Sequence, residues 1–307
     1  NPVTGKREIQ FVSEAQEIQI GQQNYAPMRQ SEGGDYEVMP ELTTYVNEIG
    51  QKLVAVSDGI LVKPRDLPFE FTVLNNSVPN AWALPGGKIA VNRGLLTELG
   101  SEAELAAVIG HEIVHSLARH GAQSQERGML LQGGLVAAQI GAVVGGVDEQ
   151  TAGLVLAAGS VGAQLIHTRY GRDAELQSDL YGMRLMKAAG YDPAAAVTLQ
   201  ETFVRLSAGR SSSWLEGLFA SHPPSEERVE RNRKTAAELG VGGDLGKERY
   251  QAKIGPLKQI EPAYEKYDQA VAALQKKDYS TAKSLASEAA RAVPREAQFH
   301  QLLGEIA

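Results

Sequence analysis

The sequence contains no cysteine. Disulfides and thiolate chemistry are excluded, and a zinc site must draw on His, Asp or Glu. A surplus of positive charge is also missing: 30 Lys and Arg stand against 37 Asp and Glu, a formal net charge of -7. No basic block stands out, so neither nucleic acid nor an anionic membrane surface is an expected partner. Long uninterrupted apolar runs are lacking too, whereas a membrane span needs about 20 apolar residues. The two apolar stretches, Met129–Val147 and Thr151–Ile166, are rich in Gly and Ala, contain Gln132, Gln139 and Gln164, and are separated by Asp148-Glu149. They read as a buried hairpin or a flap, not as spans. Residue 1 is Asn and no signal peptide is visible, as expected of a mature or trimmed form.

What remains is ordinary for a globular protein. The 307 residues, 43% hydrophobic and 22% charged, suffice for one large domain or for one with a small appendage. Phe11–Gln30 and Pro40–Ser57 read as amphipathic helices, with Pro40 acceptable in a first turn. Pro68–Asn76 places Phe69, Phe71 and Val73 on one face, the alternation of a half-buried strand. Asn80–Val91 holds two short strand runs around Pro85-Gly86-Gly87, a turn with hairpin chemistry. A small antiparallel sheet is therefore expected ahead of a central helix. That helix starts at Ser101, because Ser101 followed by Glu104 is a capping box, and it is expected to run to about Gln125. Gly110 sits in its middle at a cost of about 1 kcal/mol relative to Ala. Close backbone approach by another element would explain it. Arg172–Gly190 reads as a helix with a glycine cap. Asp192–Gly209 is another, and Phe219–Gly240 is a Ser-His-Pro-Pro loop leading into a charged helix. Gly242–Pro256 reads as a linker.

The central helix carries His111-Glu112-Ile113-Val114-His115, an H-E-x-x-H pattern. Histidines at i and i+4 lie one turn apart on one face and can share one ion. Glu112 lies near the edge of that face, where it can take a proton from a water that attacks a carbonyl. A solvated surface helix would have polar flanks. Here the flanks are Ala106, Val108, Ile109, Ile113, Val114 and Leu117, so the histidines are buried and need partners. His120, five residues past His115, points away from that face of a continuous helix and reads as an ordinary polar residue. A catalytic zinc needs a third ligand from elsewhere. Glu175 and Asp179, at i and i+4 on the Arg172–Gly190 helix, are the best candidates: Glu175 as ligand, Asp179 as acceptor for the far nitrogen of a zinc-bound His.

In the tail, Asp278-Tyr279, Ala282, Ala289 and Pro294 match the second helix of a tetratricopeptide repeat, and Leu303-Gly304 falls where the next repeat should begin. The alternative is a generic Ala-rich helical hairpin. Such a fragment should lean on the main domain or on a partner.

Taken together, H-E-x-x-H, then E-x-x-x-D some sixty residues on, then Ser-His-Pro-Pro at Ser221–Pro224, resemble the HtpX-like zinc metallopeptidases. The stretch Asn80–Leu96 resembles that family as well, and the tail points to its BepA-type periplasmic branch. The resemblance implies an α+β, mainly α-helical, gluzincin-like domain over residues 1–255 and a tetratricopeptide-like segment over 256–307. It implies one Zn2+ per chain on His111, His115 and Glu175, with Glu112 as general base and Asp179 orienting a ligand. His222 matches a family histidine near the metal, either filling the open position at rest or donating to the oxyanion. Arg228 would brace that loop. Substrate would bind extended along Asn80, Ala81, Trp82, Ala83 and Leu84 by strand addition, with Trp82 either a subsite wall or core. The branch has secreted and lipid-anchored members, and an anchoring Cys would precede residue 1. The leading expectation is a zinc endopeptidase acting on misfolded or unassembled envelope proteins. The second is a chaperone or assembly factor with a latent, self-blocked site, docked to a partner by its tail. A third, a membrane-embedded protease, would require detergent.

Overall fold

The computed structural model describes residues 1–8, 10–128, 170–209 and 217–307. Helix α1 (Glu14–Ser31) opens with a complete capping box between Ser13 and Gln16. In α2 (Pro40–Val54) Pro40 occupies the first turn, and Leu42, Tyr45, Val46, Ile49 and Leu53 form one buried face. Strands β1 (Glu70–Leu74), β2 (Ala81–Leu84) and β3 (Lys88–Asn92) form one sheet in the order β1-β3-β2. The β2–β3 hairpin is antiparallel and turns at Gly86 and Gly87, whose φ of 78° and 83° favour glycine. The expected antiparallel sheet is corrected to a mixed one, because β1 pairs parallel to β3, with Phe71 opposite Ile89. Ile89, Ala90 and Val91 are wholly buried and need neighbours on both sides. The hairpin covers one side, and β1 closes the other with β2 serving as the crossover.

After α3 (Arg93–Glu98) comes α4 (Glu102–Leu117), in which every residue but Glu104 is buried. Ser101 caps it by accepting from Glu104 N at 3.1 Å, while the Glu104 carboxylate accepts from Gly100 N at 2.7 Å, so the box is not closed on Ser101 itself. Helix α5 (Arg172–Ala188) crosses α4 where two glycines meet. A Cβ on Gly110 would lie 3.2 Å from Gly182 O, and one on Gly182 would lie 3.1 Å from His111 N. This close approach is the reason for Gly110, and it brings the carboxylates of α5 to the histidines of α4. Helix α5 ends as expected at Gly190 (φ 89°), with Tyr191 N donating back to Met186 O at 2.9 Å. Helices α6 (Ala194–Gly209), α7 (Leu218–Ser221) and α8 (Glu226–Leu239) follow. Ser225 caps α8, which packs against α5 and α6.

The tail consists of α9 (Lys247–Gln275), α10 (Tyr279–Ala292) and α11 (Ala297–Ile306). The expected linker Gly242–Pro256 is corrected: the helix starts at Lys247 and runs through Pro256 and Pro262. An interior proline costs about 3 kcal/mol. Burial of Tyr250, Ile254, Leu257 and Tyr264 contributes about 1.5–3 kcal/mol per side chain and offsets that cost. The boundary drawn at 255/256 thus falls inside one helix. Ala270, Ala282, Ala286 and Ala289 are buried where α9 and α10 pack together. The tail also joins the sheet end. Glu296 accepts from both Asn75 Nδ2 (3.0 and 3.1 Å) and Tyr264 Oη (2.6 Å), and the Arg93 guanidinium lies 3.4 Å over the Tyr264 ring. Among the described residues no helix is long and apolar enough to cross a membrane. Met129–Val147 and Thr151–Ile166 lie outside the described residues.

Candidate metal centre

Three elements meet at one point. Helix α4 brings His111, Glu112 and His115, α5 brings Glu175 and Asp179, and the loop between α7 and α8 brings His222. His111, His115, Glu175 and His222 each offer a ligand atom, all within 4.8 Å of one another and all buried. His111 Nε2 lies 3.0 Å from His115 Nε2 and 3.3 Å from His222 Nδ1. Glu175 Oε1 lies 2.9 Å from His222 Nδ1 and 3.3 Å from His115 Nε2. Four donors about 2.0–2.1 Å from a tetrahedral ion would be about 3.3 Å apart. Ring nitrogens that close, buried together with a carboxylate, are a donor set that fits a divalent metal.

The surroundings orient these donors. Asp179 Oδ1 sits 2.8 Å from His111 Nδ1. Arg228 donates to Asp179 from Nε and Nη2, both at 2.7 Å, and its Nη1 lies 2.8 Å from Glu175. Burial opposes ionisation of Glu175, yet His222 and His111 hold it well below the usual carboxylate range. Asp179 is likewise lowered, by Arg228 against the effect of burial. Burial disfavours a charged His111 ring, but Glu175 and Asp179 outweigh it and push His111 up to about 10. His115 is held well below its ordinary value, chiefly by burial. Glu112 is different. Burial pushes its carboxyl up, and its Oε2 has no hydrogen-bond partner among the described residues. Its Oε1 lies 3.3 Å from His222 Nε2.

One site residue was misplaced by sequence reasoning. Helix α4 stops at Leu117 instead of running to Gln125. Arg119 adopts a left-handed φ of 65°, and residues 120–128 form a fresh helical segment. Glu17, Glu126 and the Val12 carbonyl hold the Arg119 guanidinium and so the break. His120 therefore turns back, with Nδ1 2.9 Å from His115 Nδ1 and Nε2 2.7 Å from Gln177 Oε1. Tyr170 was missed altogether; its ring stacks on His115 at 3.9 Å. The burial of two adjacent polar residues, Arg119 and His120, has no signature in local periodicity.

Among the described residues β2 lies at one end of the sheet, but Ala81, Trp82, Ala83 and Leu84 are all buried, and Ser116 Oγ lies 3.4 Å from Leu84 O. Trp82 is core: it meets Tyr25 edge-on at 6.2 Å and packs with Leu74 and Leu84. A cavity lined by Val108, Met183, Leu199, Gln200 and Phe203 reaches Glu112 and His222.

A buried H-E-x-x-H helix with a carboxylate ligand candidate on a second helix defines the metallopeptidase class of hydrolases. The family model of peptidase family M48 matches residues 40–236, well over half of the chain. The chain belongs to peptidase family M48. It is 30% identical over 204 residues to a putative beta-barrel assembly-enhancing protease of Vibrio cholerae serotype O1, covering 65% of this chain and 40% of that protein. It is 32% identical over 246 residues to the mitochondrial metalloendopeptidase OMA1 of Schizosaccharomyces pombe, covering 78% of this chain and 67% of that protein. It is 27% identical over 200 residues to the metalloprotease LoiP of Escherichia coli strain K12, covering 64% of this chain and 73% of that protein.

Proposed function

We propose that this chain is a zinc endopeptidase whose metal is held by His111, His115 and Glu175, with Glu112 as general base. The observation that carries the reading is the convergence of four buried donors beside a buried carboxylate, one of whose oxygens has no hydrogen-bond partner among the described residues. Zinc, when bound, supplies a Lewis acid for the scissile carbonyl and acidifies water. The chain's own residues do the rest. Glu112 Oε2, with its carboxyl pushed up by burial, is poised to take the proton of the attacking water and hand it to the leaving amine. Asp179 fixes the His111 ring through Nδ1, and Arg228 braces Asp179 and Glu175 together.

His222 stands in the fourth donor position and touches Glu112, which describes a self-blocked resting arrangement. Movement of His222 frees both the open position and the base. An extended polypeptide would then lie along Asn80–Leu84 and place an apolar side chain in the cavity beside Leu199 and Phe203. The substrates would be misfolded or unassembled envelope proteins, in a periplasmic or other extracytoplasmic setting, with or without a lipid anchor. The α9–α11 tail would act as a tetratricopeptide-like segment that docks a protein partner. The position of His222 favours one second reading, a chaperone or assembly factor with a latent site.

The test is hydrolysis of an unfolded model protein by the zinc-loaded chain, beside Glu112→Gln, His222→Ala and a chelated sample. Cleavage lost in Glu112→Gln and in chelator, and raised in His222→Ala, is the expected result. No cleavage by either the parent or His222→Ala, with zinc bound, refutes the endopeptidase reading and leaves the assembly factor.

A further inference from the structure

We infer that His120 and Gln177 are positioning residues for His115: a directional hydrogen-bond chain dictates which His115 nitrogen turns its lone pair to the metal. This rests on the metal reading above. The direction can be read from a start that has no ambiguity. The backbone N–H groups of Val3 and Thr4 reach the same Asn1 side-chain atom at 3.0 and 3.1 Å. A backbone N–H only donates, so that atom is the oxygen and the other amide atom of Asn1 is the nitrogen. Asn1 Nδ2 donates to Gln177 Oε1 at 3.3 Å. Gln177 therefore presents its carbonyl oxygen, an acceptor only, to His120 Nε2 at 2.7 Å.

The proton of His120 must then sit on Nε2. In a neutral imidazole the other nitrogen is an acceptor, and His120 Nδ1 faces His115 Nδ1 at 2.9 Å. The His115 proton is drawn to Nδ1. Its Nε2, 3.0 Å from His111 Nε2 and 3.3 Å from Glu175 Oε1, keeps a free lone pair for the ion. Reversing any link turns a proton into the metal position. Ser178 Oγ, 3.4 Å from His120 Nδ1, is a second donor to the same nitrogen.

The two metal-facing histidines of α4 are thus oriented by different means. His111 donates to a carboxylate, Asp179, whereas His115 donates to a neutral ring. A neutral acceptor orients without adding a further negative charge beside Glu112, Glu175 and Asp179. The device exists only because α4 breaks. On an unbroken helix His120 would lie about 140° around the axis from His115. The left-handed Arg119, tied to Glu17 and Glu126, swings it back.

The experiment is zinc affinity of the full chain by competition with a chromophoric chelator, together with long-range proton–nitrogen NMR of the histidine rings. In the zinc-loaded parent the spectra should show His115 protonated on Nδ1 and His120 protonated on Nε2. His120→Phe, which removes the acceptor, should weaken zinc binding about 10–100-fold. His120→Asn, which restores an oxygen near the lost Nδ1, should recover most of that, and Gln177→Leu should show a smaller loss than His120→Phe. A His120 proton on Nδ1 in the parent, or zinc affinity of folded His120→Phe within about twofold of the parent, overturns the inference while leaving the metal site standing. Should His120→Phe fail to fold, the parent spectra decide. A parent that binds no zinc overturns the metal reading itself.

Discussion

Replacing Arg228 by Met is the sharpest test of the electrostatics at this site. Arg228 is 5% exposed and donates two 2.7 Å hydrogen bonds to Asp179, which is 8% exposed. It also lies 2.8 Å from the carboxylate of Glu175. Met keeps the aliphatic length and removes the charge, leaving two buried carboxylates without their fixed cation. Breaking a buried ion pair on one side costs about 3–5 kcal/mol. At about 2–4 °C per kcal/mol for a chain approaching this size, the metal-free variant should melt roughly 6–20 °C below the parent near neutral pH. The pH dependence has a definite sign. Asp179 and Glu175 have folded-state pKa values lowered from the ordinary carboxylate values, so their stabilisation is present above those values and fades as pH falls through the folded ones. The variant lacks most of that stabilisation, so the gap between parent and variant should narrow on acidification. Bound zinc replaces part of the missing positive charge, so the gap should narrow on metal loading too. Circular dichroism melts at several pH values, with chelator and with zinc, check all of this. A gap under about 2 °C at neutral pH, or one indifferent to pH, would refute the reasoning.

Three further outcomes are expected. Gly182→Val pushes α5 away from α4, because even a Cβ there would lie 3.1 Å from His111 N; overpacking should cost about 1–3 kcal/mol in a urea titration and should also weaken zinc binding. Glu296→Ala leaves Asn75 Nδ2 without its buried acceptor and the Tyr264 hydroxyl with only Tyr36, so stability should fall by about 1–3 kcal/mol; unfolding of the tail separately from the body would contradict a tail joined to the sheet. In the metal-free protein the ordinary His111 value of 6.5 is raised to about 10, so its stabilisation is complete below 6.5 and is lost as pH rises through about 10. Melting temperature should therefore drop on the alkaline side without metal and hold with zinc, which replaces the proton.

Much of this site was legible because helical geometry is local. The i, i+4 spacing of His111 and His115, and of Glu175 and Asp179, places each pair on one face whatever surrounds it. Gly110 announced a close neighbour, and the neighbour is Gly182. Other features depend on partners distant in sequence. Alternation of Phe69, Phe71 and Val73 reports which face is buried but not strand direction, so the parallel pairing of β1 was not legible. Ser116-Leu117-Ala118-Arg119-His120 contains no helix breaker; the break is imposed by Glu17 and Glu126, about a hundred residues upstream and one turn or two downstream. Pro256 and Pro262 looked like a linker because local cost is visible in sequence and the offsetting burial is not. Trp82 stood open between pocket wall and core for the same reason, and only its contact with Tyr25 decides it.

These observations share one electrostatic logic. The described site holds two carboxylates with lowered pKa values, Glu175 and Asp179, against one fixed cation, Arg228. One positive charge is missing. Glu175 and Asp179 outweigh the burial that alone would push His111 down and raise it to about 10, while the adjacent His115 is lowered, chiefly by burial. A divalent ion meets the same deficit with charge to spare, and the surplus is what would draw Glu112 towards ionisation. Burial raises its carboxyl, and a nearby cation lowers it. Among the described residues one Glu112 oxygen stays buried without a hydrogen-bond partner, so on the proposed reading the charge state of Glu112 would follow the occupancy of the neighbouring donor cluster. His222 touches both the donor cluster and Glu112, so on the proposed reading a shift of this one ring would change access to both.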